Sequence, residues 1–200
     1  LGGSVLAARL RVAAGLEARL AELCLALERR GDGRSKSNVG GFQSKALALH
    51  SDPAFEEFAE LLHEPVAAFL AAQLSGWPEA TPGLALAAVV DQLWANVNRP
   101  GDRNGRHHHG APSASLSASC VYYPAAEGGA APLRFFPAGE PPVAVAPELG
   151  LLVLFPPDLE HEVAPAAAGS GPRLSLACNV RVRWLPGPLL RAAAAGDAAE

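Results

Sequence analysis

A chain of 200 residues, half of them apolar, can bury one sizeable core and suits a single domain. Its formal net charge of -4 lacks the basic balance that a general nucleic-acid binder needs. Glycine (20) and proline (18) make up about a fifth of the chain, which favours short strands joined by turns over a helical bundle.

Every long apolar run is interrupted by Arg, Glu or Pro, so neither a membrane span nor a membrane partner is expected. Cys24, Cys120 and Cys178 are odd in number, widely spaced and set in apolar runs. The expectation is three buried free thiols, in the cytoplasm or another reducing compartment. The chain has no methionine, as expected of a fragment or of a chain without its initiator. Residues 1–16 hold Arg9 and Arg11 and no acid, the composition of a transit peptide, although a continuing helix is the expected explanation.

Residues 4–30 read as one helix, with Leu16, Leu20, Leu23 and Leu27 forming an apolar stripe. A polar, glycine-rich loop follows from Arg34 to Ser44. Its Gly40-Gly41 pair suits unusual backbone angles, but no Walker-type Lys-Ser/Thr follows to make it a phosphate cradle. Asp52-Pro53 then starts a second helix as a capping acid with proline in the first turn. Phe55, Phe58, Leu62, Val66 and Phe69 make its buried face, and it is expected to stop near Gly76-Trp77-Pro78.

From residue 84 the texture becomes β. Leu84–Asn98, Leu116–Tyr123, Pro132–Phe136, Val143–Val145, Gly150–Phe155, Glu160–Val163 and Arg173–Trp184 are candidate strands separated by turn residues, a sandwich or barrel pattern. Leu151–Phe155 is apolar on both faces and is expected to be central. Along the last strand Arg173, Ser175, Asn179, Arg181 and Arg183 share one face, opposite Leu174, Leu176, Cys178, Val180 and Val182. The polar face is either solvated or the lining of a barrel mouth that binds an anion. The organisation is thus a helical support over residues 1–83, a β core over 84–184 and a tail over 185–200, in one folded domain.

Three of the six histidines fall in Asn104-Gly-Arg-His107-His108-His109-Gly110. Alone, such a run reads as a solvated loop. His107 and His109, two apart on an extended segment, point the same way, while His108 points off. His161 follows an apolar strand at Phe155-Pro-Pro-Asp158-Leu-Glu160. Two near imidazoles and one remote make a facial set with open coordination positions, as oxygen chemistry at iron requires. Zinc with three histidines and a water competes. Beyond His161, Arg173 and Ser175 on one strand face can grip a carboxylate.

The ordered motifs Trp94-Ala-Asn96, Asn104-Gly-Arg-His107-His-His109, Ser119-Cys-Val-Tyr-Tyr123, Leu154-Phe-Pro-Pro-Asp-Leu-Glu-His161-Glu-Val163 and Arg173-Leu-Ser175-Leu-Ala-Cys-Asn179 resemble the 2-oxoglutarate/Fe(II) dioxygenase superfamily. They look closest to its prolyl-hydroxylase-like group. Ser37-Asn38-Val-Gly40-Gly41-Phe42-Gln43-Ser44 looks like that group's N-terminal motif. The resemblance spans roughly residues 35–183. It implies a mainly β, α+β fold: a double-stranded β-helix of the jelly-roll or cupin type with flanking helices. It implies His107, His109 and His161 as ligands of Fe(II), and Arg173, Ser175, Tyr122 or Tyr123, Asn96 and Asn179 around 2-oxoglutarate. It implies a hydroxylase using O2, with ascorbate in support, that forms succinate and CO2.

Two departures stand out. His109 occupies the place of the superfamily's usual acid and leaves the site one unit more positive. Cys120 stands where the group has glycine. The alternatives are a degenerate or three-histidine cupin-like barrel that binds without turnover. Substrate identity, whether a protein side chain or a small molecule, is not written in these motifs.

Overall fold

The computed structural model describes residues 5–73, 84–111, 118–126 and 128–186. Two antiparallel sheets dominate. In chain order the elements are β1 (Leu6–Arg9), α1 (Leu16–Arg30), β2 (Asn38–Val39), β3 (Phe42–Gln43), α2 (Pro53–Leu61), α3 (His63–Gln73), β4 (Leu84–Asn98), β5 (Arg103–His107), β6 (Ala118–Ala125), β7 (Leu133–Phe135), β8 (Val143–Val145), β9 (Leu151–Phe155), β10 (His161–Val163) and β11 (Arg173–Pro186). One sheet runs β1-β9-β6-β11-β4-β3 and the other β2-β5-β10-β7-β8.

Strand alternation divides the core in two. Leu93, Ala95 and Val97 of β4 and Leu174, Leu176 and Cys178 of β11 pack with Leu20, Phe58, Leu62 and Phe69 of the helical segments. The opposite faces supply Trp94, Val121, Tyr123, Phe155 and Ala177, which meet Leu133, Phe135, Val145 and Val163 of the smaller sheet. The six-stranded sheet is therefore buried on both sides, with helices on one and the second sheet on the other. Among the described residues no helix is long and apolar enough to cross a membrane.

Several expectations are corrected. Residues 4–30 are not one helix: Leu6–Arg9 is a strand paired with β9, and helix begins only at Leu16. Pairing to the otherwise open edge of β9, with Leu6 and Leu10 packed on the core, outweighs the helix propensity of the Ala/Leu composition. Leu151–Phe155 accordingly lies second from the edge, covered by β1.

The second helix divides into α2 and α3 around Leu62. Pro65 explains the break, because it has no N–H to give the Leu61 carbonyl. The expected helix end near Gly76-Trp77-Pro78, the strand start at Leu116 and the tail after Pro188 lie outside the described residues.

The loop from Arg34 to Ser44 contains two short strands, each on a different sheet: Asn38 pairs with Asn104 of β5, and Gln43 with Asn96 of β4. Gly40 turns between them at φ 67°. That positive φ favours glycine, and a Cβ there would also press on the Asp102 carboxylate.

The free-thiol expectation holds only for Cys24, which is buried. Cys120 and Cys178 face each other across β6 and β11 and form a disulfide with a Cα–Cα separation of 5.2 Å. Cysteines 58 apart in sequence become neighbours through register, which spacing alone does not reveal. The thiol argument for a reducing compartment is correspondingly weakened.

Candidate metal centre

Antiparallel pairing sets two of the histidines side by side. His107 closes β5 and is the direct cross-strand partner of His161 on β10. It therefore ends a strand instead of sitting in a solvated loop. His109 lies just beyond, its backbone N–H donating to the Pro157 carbonyl at 2.7 Å, which ties the segment to the β9–β10 connection. One ligand nitrogen from each of His107, His109 and His161 lies within 4.8 Å of the others.

Hydrogen bonding fixes which nitrogen is free. His107 Nδ1 faces the Gly105 carbonyl at 2.8 Å and His161 Nδ1 faces the Leu159 carbonyl at 2.9 Å. Carbonyl oxygens only accept, so each Nδ1 carries the proton and each Nε2 keeps its lone pair. His109 Nδ1 lies 2.7 Å from Ser119 Oγ and 2.8 Å from Asn179 Oδ1. Ser119 Oγ also donates to Asn179 Oδ1 at 3.0 Å. Asn179 Oδ1 can only accept, so His109 too carries its proton on Nδ1. His108 is the exception, because its Nδ1 accepts from the Gly110 N–H at 3.0 Å.

Burial keeps the three imidazoles neutral. Desolvation, with repulsion from His107, pushes His109 down to about 4 and His161 down to about 3. Desolvation also lowers His107. Phe155 packs on His161 at a centroid distance of 4.8 Å, and Trp94 meets His109 edge-on at 5.5 Å. Three neutral Nε2 donors converging in a partly apolar setting suit a divalent transition metal.

The same cavity, about 320 Å³, is lined by Arg173, Ser175, Asn96 and Asn179 as well as the histidines. Arg173 is only 3% exposed. It donates to Ser175 Oγ at 3.0 Å and to Tyr123 OH at 2.8 Å, while its Nε has no partner. Among the described residues no carboxylate pairs with it. A buried guanidinium without an anion is costly, so the cavity is built to take one.

Tyr122 does not belong to this group. Its ring packs on Phe58 at 5.0 Å in the helix-side core, and Tyr123 is the residue that reaches Arg173. Alternation decides between the neighbours: Ser119, Val121 and Tyr123 share the cavity face of β6, and Tyr122 takes the other. Ser119, which the sequence reading did not assign to the site, was accessible by the same count.

No family model matches the chain, and no curated protein matches it either. Solved structures do. A prolyl-4-hydroxylase from Pseudomonas putida is 23% identical, with TM-score 0.61 over 89% of this chain and 92% of that one. A prolyl hydroxylase from Trichoplax adhaerens, solved with a hypoxia-inducible-factor peptide, is 14% identical, with TM-score 0.61 over 90% and 84%. A non-heme α-ketoglutarate-dependent epimerase of nogalamycin biosynthesis is 15% identical, with TM-score 0.63 over 92% and 81%. The class defined by this likeness is that of the 2-oxoglutarate/Fe(II) oxygenase fold. On that fold the chain carries a three-histidine candidate metal site.

Proposed function

We propose that the chain is an Fe(II)- and 2-oxoglutarate-dependent dioxygenase of the hydroxylase type, built on a double-stranded β-helix. The observation that carries this reading is the buried Arg173, with no carboxylate partner among the described residues, in the same cavity as three convergent imidazoles. The residues fit both absent groups. His107, His109 and His161 would hold the metal, and Arg173, with Ser175, Tyr123 and Asn96, would hold the distal carboxylate of 2-oxoglutarate. When bound, iron and 2-oxoglutarate would supply O2 activation coupled to decarboxylation to succinate and CO2.

The chain's own contribution is orientation and exclusion of water. The Gly105 and Leu159 carbonyls and the Ser119–Asn179 pair fix three tautomers before any metal arrives. Phe135, Phe155 and Trp94 screen the donors from solvent. Burial holds Tyr123 protonated, so its oxygen accepts from Arg173 and it stays uncharged beside an incoming carboxylate. Residues 84–184 would form the catalytic core, with residues 1–83 as its support.

One feature supports a second reading, a barrel that binds ligand without turnover. His109 stands in the place of a carboxylate and leaves the centre one unit more positive. Calorimetry on the metal-loaded chain is the test of the cofactor site. One 2-oxoglutarate per chain is expected with the wild type and none with Arg173→Gln. Equal binding by both would remove the cofactor assignment. The substrate falls in one of two classes, a protein side chain or a small molecule. The peptide bound to the Trichoplax relative supports the first.

A further inference from the structure

The mouth of the cavity carries two more cations that the oxygenase reading does not use. Arg34 and Lys36 line it on the segment between α1 and β2. That segment is pinned at several points. Arg34 N–H donates to the Gln43 carbonyl at 2.8 Å, Lys36 N–H to Asn38 Oδ1 at 2.9 Å, and Gly105 N–H to the Ser37 carbonyl at 2.8 Å. Gly33 lets the chain lie this close: a Cβ there would come within 2.8 Å of both the Gln43 carbonyl and the Phe42 ring. The lip is thus tied to both sheets through β2, β3 and β5.

Arg34 is held for a ligand it does not have. Its guanidinium lies 5.9 Å from the Trp94 ring, which limits its swing, and its Nε is buried without a hydrogen-bond partner. Among the described residues neither Arg34 nor Lys36 pairs with a carboxylate. The chain has 20 acidic residues against 16 basic, yet no Asp or Glu lines the cavity among the described residues. Cations therefore run from the floor, where Arg173 is 3% exposed, to the lip, where Arg34 is half-buried and Lys36 exposed.

Charge accounting points outward. A divalent metal held by three neutral imidazoles, together with Arg173, would be neutralised only in part by a dianionic co-substrate. Among the described residues no carboxylate joins the three histidines to lower the remainder. Low-dielectric walls focus that surplus toward the mouth.

We infer that Arg34 and Lys36 form an anion subsite that recognises a carboxylate or phosphate group on the primary substrate. The inference rests on the oxygenase reading for the word substrate, while the subsite itself stands on the lip geometry. Arg34 supplies a fork for two oxygens and Lys36 a mobile point charge, a division suited to an oxyanion arriving from solvent.

The test titrates the full metal-free chain with inorganic phosphate and, separately, acetate at constant ionic strength, following tryptophan fluorescence. With Arg173→Gln as the background, so that the floor of the cavity does not contribute, one saturable site is expected for at least one anion, and the tighter probe identifies the group. Arg34→Gln is expected to weaken it by about tenfold, in line with loss of a charge-assisted hydrogen bond. Lys36→Gln should weaken it less, and Arg34→Lys should restore part of the loss. Circular dichroism of each variant controls for folding. The subsite is overturned if the Arg173→Gln background shows no saturable binding, or if adding Arg34→Gln and Lys36→Gln to it leaves binding unchanged. 2-Oxoglutarate binding is read separately on the wild-type chain, so failure of the oxygenase reading and failure of the lip give different results.

Discussion

His109 Nδ1 lies 2.8 Å from Asn179 Oδ1, across the gap between the β5–β6 connection and β11. An amide oxygen facing that nitrogen fixes its proton and leaves Nε2 as the free donor. Asn179→Ala should therefore weaken metal binding by roughly 10- to 100-fold, the usual effect of losing a ligand's hydrogen-bond partner. Asn179→Asp, which keeps an acceptor, should retain most of the affinity. Metal titration of both variants checks this, and equal losses would show that the acceptor does not matter.

The three clustered histidines and their neighbour should separate cleanly. Replacing His107, His109 or His161 by alanine should abolish stoichiometric binding of a divalent metal. His108→Ala should not, because His108 already accepts the Gly110 N–H on Nδ1 and stands outside the triad. Metal content measured after dialysis decides between them. Retention of metal by the His109→Ala chain would reduce the site to two histidines.

Much of this arrangement was legible in the sequence because strands have a period of two. The alternation that put Arg173, Ser175 and Asn179 on one face is observed, with Leu174, Leu176 and Cys178 in the core behind them. The His107–His161 pairing was only a spacing argument until β5 and β10 met in register. Cross-strand relations were not legible. The Cys120–Cys178 bond, the contact of Ser119 with His109 and the Tyr123–Arg173 bond all depend on which strands are neighbours. Leu6–Arg9 was misread because its composition favours helix and only its pairing partner makes it a strand.

The disulfide gives a direct chemical count. Denatured without reductant, the chain should show one reactive thiol, that of Cys24, and three after reduction. Burial pushes the native Cys24 thiol up to about 12, so little reaction is expected before unfolding. Three thiols without reductant would restore the free-cysteine expectation.

Asp52 caps α2, accepting from the Ala54 N–H at 3.0 Å, and also pairs with Arg19. Those two interactions, the backbone bond first, lower its pKa below the ordinary 3.8. A carboxyl depressed in the folded state stabilises above the unfolded pKa, and that stability is lost as pH falls through the folded value. Asp52→Ala should cost about 1 kcal/mol at neutral pH, as typical caps do. The gap to wild type should narrow as pH falls below 3.8. Urea denaturation at the two pH values tests it, and a gap that does not change with pH would assign the loss to packing.

The central claim is that Arg173 and the three histidines serve one reaction. Its most direct test is succinate released from 2-oxoglutarate by the purified chain with Fe(II), ascorbate and O2, without added substrate. The wild type should release succinate in a metal-dependent, uncoupled reaction, with a loss of at least about 100-fold in both Arg173→Ala and His161→Ala. No succinate from a chain that binds both metal and 2-oxoglutarate, or undiminished succinate from Arg173→Ala, would contradict it.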